Sequence, residues 1–162
     1  AADYLRWLMD QDRKSPALKR VQGGIWRAGF EDGSLRGDVF PDVAPALARW
    51  RAAGIRAAIY SSGSVLSQRL IFATTPSGDL TPYFAGFFDT SVGPKRSPDS
   101  YRAIARTLAL RPGAVMFVSD VAEELDAATA AGCAGVLATR PGNREVAAVY
   151  RNINSLEELL PE

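Results

Sequence analysis

Histidine is missing from the 162 residues. That removes Ser-His-Asp triads, His-ligated zinc and imidazole general bases. Any catalysis is left to carboxylates, lysine, hydroxyls or a metal held by oxygen. Cysteine occurs once, at Cys133, so no internal disulfide can form and a reducing cytoplasm is the expected setting. No apolar run is long enough to span a bilayer, and no signal-peptide pattern opens the sequence, so no membrane partner is expected. Neither sign of charge dominates: 19 Lys and Arg stand against 18 Asp and Glu. No basic stripe interleaved with aromatics is present, which argues against a nucleic-acid partner. A monomer is the default expectation.

What is present is ordinary for a globular protein: 47% apolar and 23% charged residues. The length suggests one domain with a small appendage. Residues 1–37 read as a helical accessory unit. Tyr4, Trp7 and Leu8 recur at helical steps, Ser15-Pro16 is a helix start, and Leu18, Val21, Ile25 and Trp26 continue the spacing. Gly23-Gly24 weakens the middle and leaves room for a bend.

From Asp42 onward the pattern alternates helix and strand. Asp42 is the expected cap of a helix carrying Val43, Ala46, Leu47 and Trp50, with Gly54 ending it. Strand Ile55–Tyr60 follows, then the Ser61-Ser62-Gly63-Ser64 turn and a helix over Val65–Phe72. An aromatic-rich loop runs into a strand near Gly86–Asp89. Ser97-Pro98 opens a helix with Tyr101, Ile104, Ala105 and Leu108 on its buried stripe. Val115–Val118 is a continuous apolar run, as expected of a strand covered on both faces. It ends on Ser119-Asp120. An Ala-rich helix over Glu123–Ala131, a strand over Ala134–Ala138 and a capping box at Ser155–Glu158 complete the chain. The expected fold class is α/β, a doubly wound parallel sheet of Rossmann-like type.

In such sheets ligands sit beyond the strand C-terminal ends, and three ends carry polar groups. Ser61 and Ser62 can donate to phosphate oxygens, with Gly63 letting the backbone approach and the following helix N-terminus adding positive character. An ordinary cap at Ser62 or Ser64 is the plainer alternative. Lys95 can neutralise phosphate as a point charge. Asp120 can hold Mg2+, a cation that takes oxygen ligands, or simply cap a helix. Glu124, four residues on, could hold a metal-bound water or orient Lys95.

Hydroxyl, lysine and acid in that strand order resemble the haloacid dehalogenase superfamily of aspartyl-phosphate enzymes. More closely, the chain resembles the enolase-phosphatases of methionine salvage. The matching text is Leu18–Gly23, Tyr60–Val65, Gly78–Leu80, Phe88–Thr90, Gly93–Lys95, Ser100-Tyr101, Ser119-Asp120 and Arg140–Asn143. The resemblance implies a small phosphorylated diketone substrate, 2,3-diketo-5-methylthiopentyl-1-phosphate. It would be enolised and then dephosphorylated to an acireductone, with Mg2+ as cofactor. It implies that Ser61, Ser62 and Gly63 bind the phosphate, that Lys95 binds and orients it, and that Asp120 is a catalytic metal ligand with Glu124 behind it. It also implies a haloacid-dehalogenase-type core over residues 38–162 and a helical cap that includes residues 1–37.

One departure accompanies it. The superfamily's nucleophilic aspartate, on a first strand ahead of the cap, has no counterpart motif here. Asp10-Gln11-Asp12 and Glu31-Asp32-Gly33-Ser34 follow no apolar strand. The strand bearing the nucleophile is therefore expected upstream of Ala1. The 162 residues alone are expected to lack a central strand and to be inactive. Two other readings stay open: a phosphatase of the same superfamily acting on another small phosphomonoester, and a non-catalytic phosphate-binding module.

Overall fold

The computed structural model describes residues 16–143 and 149–159, with the side chains of residues 16–22 left aside. The helix expected near Tyr4–Gln11 and the Ser15 cap lie outside the described residues.

Helix α1 (Pro16–Glu31) runs unbroken through Gly23-Gly24. It lies against a later helix, and a methyl group at Gly23 would touch Leu66 at 3.8 Å. The small residue serves close approach rather than a kink. Gly37 follows this helix. A β-carbon there would overlap the Ile71 carbonyl oxygen at 1.8 Å, and the Gly37 amide donates to both the carbonyl and the hydroxyl of Thr74. Only glycine fits that docking.

Five strands and four further helices follow: α2 (Val43–Ala52), β1 (Ala57–Tyr60), α3 (Val65–Ala73), β2 (Phe84–Phe88), α4 (Pro98–Thr107), β3 (Met116–Ser119), α5 (Ala122–Ala130), β4 (Ala134–Ala138) and β5 (Arg151–Ile153). All pairings are parallel, as helix–strand alternation requires. The strands form two sheets, β1-β2 and β3-β4-β5. Side chains join them: Tyr101 on α4 stacks edge-on with Tyr60 of β1 at 5.6 Å and with Phe117 of β3 at 4.9 Å. Below these rings lie Ala127, Ala128, Ala131 and Cys133. A second cluster packs Val136, Ile153 and Leu159 with Trp50.

Three expectations are corrected. The run at Val115–Val118 is not covered on both faces: Met116 is 48% exposed, on a strand that stands at the edge of its sheet among the described residues. Strand β5 was not foreseen. It has three residues, two of them exposed, and only Ile153 is buried. Asp42 does not cap α2. Its backbone is already helical (φ −78°, ψ −11°), and its side chain makes no cap hydrogen bond.

The Asp42 carboxylate instead holds the far end of the chain. Its Oδ2 accepts from Arg140 Nη2 at 2.5 Å, the Leu156 amide at 2.6 Å and Ser155 Oγ at 3.0 Å. The capping box forms as expected: Glu158 accepts from the Ser155 amide, and Ser155 Oγ accepts from the Glu157 amide. Burial alone would raise the Asp42 carboxyl. The bonds from Arg140, Leu156 and Ser155 outweigh it and hold the group below its ordinary value. That contribution is present above the unfolded aspartate value of about 3.9 and is lost as pH falls through the lower folded value. Asp42→Asn should therefore cost about 3 kcal/mol at neutral pH, the low end for a paired charge with little exposure. In urea titrations of the complete gene product, the gap between wild type and variant should close below about pH 4.

Candidate functional site

The C-terminal ends of β1 and β3 converge on Lys95. Its Nζ sits 2.6 Å from Glu124 Oε2 and 5.9 Å from the centre of the Tyr60 ring, at the end of β1. Glu124 is buried, and Ser119 Oγ, the last residue of β3, donates to it at 2.9 Å. Glu124 reaches back in this way because α5 starts at Ala122, with Val121 rather than Asp120 at the cap position. Asp120 stays outside the helix, exposed, and its Oδ2 accepts from Asn143 Nδ2 at 2.6 Å.

The loop carrying Lys95 is held by three hydroxyls on three successive carbonyls. Tyr60 donates to Gly93 at 2.8 Å, Ser100 to Pro94 at 2.8 Å and Tyr101 to Lys95 at 2.5 Å. Gly93 permits the arrangement: its φ is +148°, and a β-carbon would lie 2.3 Å from Ser100 Oγ. Burial raises the Tyr101 phenol well above its ordinary value, with Glu124 adding to the effect. Burial likewise raises Tyr60. Both phenols therefore remain protonated donors across the physiological range.

At the end of β1, the Ser61 amide continues the ladder by donating to the Phe88 carbonyl. Ser61 Oγ accepts from the Gly63 amide at 3.2 Å, and Ser62 is exposed. The cap of α3 is Ser64, whose side chain accepts from the Ser67 amide. Ser62 is thus not the cap. The helix N-terminus is partly spoken for, since the Val65 amide donates to Asp89 Oδ2 at 3.4 Å. Gln68, buried behind the turn, donates to the Gly63 and Phe88 carbonyls and ties the turn to β2.

Ser61-Ser62, Lys95 and Asp120 therefore occupy one rim, linked through Tyr60, Glu124 and Ser119. Sequence reasoning named Ser119 as a polar strand end and missed Tyr60, Gln68, Ser100 and Asn143 as parts of it. The hydroxyl positions inside Tyr60-Ser61-Ser62 and Ser100-Tyr101 were the available signal. A metal cage is not formed by these groups. Among the described residues no three His, Cys, Asp or Glu gather to hold an ion, and Lys95 already neutralises Glu124. The described residues alone do not fit Mg2+. A depression of about 290 Å3 lies at the opposite end of β1, lined by Arg51, Arg56 and Tyr83, away from this rim.

Residues 1–132 match the haloacid dehalogenase-like hydrolase family. The chain belongs to that family. Enolase-phosphatase E1 of Synechococcus elongatus is 49% identical over 160 residues, covering 98% of this chain and 67% of that protein. The Frankia alni protein of the same name is 59% identical over 142 residues, covering 87% of this chain and 60% of that protein. The chain thus spans roughly two thirds of these curated relatives. Among solved structures, the UTR4 protein of Saccharomyces cerevisiae superposes with a TM-score of 0.87 at 35% identity, over 94% of this chain and 71% of that one. A parallel α/β core of this family's type is therefore shared along nearly the whole chain.

The three-hydroxyl clamp makes a measurable demand. Tyr101→Phe keeps the ring stacking and removes one donor. It should lower the unfolding free energy of the complete gene product by about 1 kcal/mol. A loss of zero would mean that the Lys95 carbonyl finds another partner.

Proposed function

We propose that the complete gene product is a phosphomonoester hydrolase of the enolase-phosphatase type. Its substrate is 2,3-diketo-5-methylthiopentyl-1-phosphate, and its products are an acireductone and phosphate. The observation that carries the reading is Lys95, an ammonium clamped at the same rim as the Ser61-Ser62 turn and Asp120. The identity to proteins named Enolase-phosphatase E1, 49% over 98% of the chain, narrows it to that substrate class.

Each residue has a share in the chemistry. Ser61 and Ser62 donate to the phosphate oxygens, with Gly63 giving backbone access. Lys95 neutralises phosphate charge as it builds toward the transition state, and the ion pair to Glu124 holds its ammonium in place. Asp120 is the acid at the rim. Phosphoryl attack by a carboxylate needs a nucleophile that no motif in these residues supplies, so their part is binding, charge neutralisation and orientation. Dependence on Mg2+ belongs to this proposal through the family resemblance.

The test is turnover by the complete gene product with this diketone phosphate, following phosphate release. Lys95→Ala and Asp120→Asn should each lower kcat/KM by at least about 100-fold, the scale of removing one electrostatic group from a transition state. Undiminished turnover in both variants would reject the assignment. A preference for other small phosphomonoesters across a substrate panel would keep the hydrolase and replace the substrate.

A further inference from the structure

Asp120 is an exposed carboxylate after the end of β3, and it caps no helix. An unrestrained side chain of that kind would sample several rotamers. One contact among the described residues fixes it: Asn143 Nδ2 donates to Oδ2 at 2.6 Å. Asn143 comes from the turn after β4, on a different element.

The asparagine is itself oriented. Its Oδ1 accepts from the Arg140 amide at 2.6 Å, so the amide plane is set and the Nδ2 side is turned to Asp120. Arg140 is held in turn. Its guanidinium donates to the Asn154 carbonyl at 2.6 Å and to Asp42 at 2.5 Å, and it lies 4.8 Å above the Phe40 ring. Asp42, Arg140, Asn143 and Asp120 therefore form one chain of contacts from the start of α2 to the rim. Within it, Oδ2 of Asp120 is engaged while Oδ1 makes no hydrogen bond to a described residue. The asparagine thus selects which carboxylate oxygen is available.

We propose that Asn143 is a positioning residue for Asp120, engaging Oδ2 so that Oδ1 stays available at the rim. The inference rests on the phosphohydrolase reading above. It assigns a catalytic consequence to a turn that would otherwise only close the β4 end.

Two substitutions separate these roles. Asn143→Asp keeps an oxygen for the Arg140 amide but removes the donor to Asp120. Asn143→Ala removes both. The complete gene product is assayed with the diketone phosphate, and kcat, KM and the thermal midpoint are measured for each. Loss of an outer partner of a functional carboxylate typically costs 10- to 100-fold. Both variants should lose kcat by about that factor. KM should stay within about threefold, because phosphate is held by Ser61, Ser62 and Lys95. Asn143→Asp should also melt within about 3 °C of wild type, a shift too small to account for the loss of kcat. Wild-type kcat in either variant, a rise in KM without a fall in kcat, or a kcat loss matched by a collapsed midpoint in Asn143→Asp overturns the inference. A wild-type protein that releases no phosphate overturns the underlying reading instead, and the two failures are thereby distinguished.

Discussion

The ion pair between Lys95 and Glu124 is the contact on which the rim depends. Each partner belongs to a different half of the structure. Lys95 stands in the loop after β2, and Glu124 stands on the first turn of α5, behind β3. A buried carboxylate without a counter-charge is costly, and the ammonium that supplies that charge is also drawn to the face of the Tyr60 ring. Each group therefore justifies the other's position. Ser119 adds a hydrogen bond to Glu124, and the Tyr101 hydroxyl fixes the Lys95 backbone. The charge is delivered by a scaffold rather than by a flexible side chain.

This contact also explains how two sheets share one functional edge. β1-β2 and β3-β4-β5 make no common ladder among the described residues. They are brought together by the Tyr60, Tyr101 and Phe117 rings and, at the C-terminal ends, by the charged pair. Aromatic stacking sets the spacing and the ion pair sets the end of the sheet at which chemistry can occur. Family membership fits this picture, since ligands of open α/β sheets sit outside the strand carboxyl ends.

Much of this was legible in the sequence, for reasons tied to particular residues. The apolar stretches Ile55–Tyr60, Val115–Val118 and Ala134–Ala138 are strong strand signals, and Ser97-Pro98 and Ser155–Glu158 are strong helix starts. The spacing that put Glu124 near Lys95 was readable as a possibility. What stayed hidden depended on long-range partners. Asp42 has the local pattern of a cap, but Arg140, ninety-eight residues later, takes its carboxylate. Arg151-Asn152-Ile153 is too short and too polar to announce a strand, and it forms only because β4 offers an edge. The hydroxyls of Tyr60 and Tyr101 read as core aromatics, and only the fold reveals that they hold a loop. Glycine pairs are ambiguous in the same way: Gly23-Gly24 leaves room for a bend in isolation, while the packed helix uses Gly23 to approach Leu66.

The central claim is that one anion is held between the Ser61-Ser62 turn and the clamped Lys95 ammonium. Calorimetric titration of inorganic phosphate into the complete gene product measures this without any turnover. The account predicts a single binding event in the wild type that weakens at least about tenfold, a loss of about 1.4 kcal/mol, when Lys95→Ala removes the charge. Equal phosphate affinity in wild type and Lys95→Ala would contradict it.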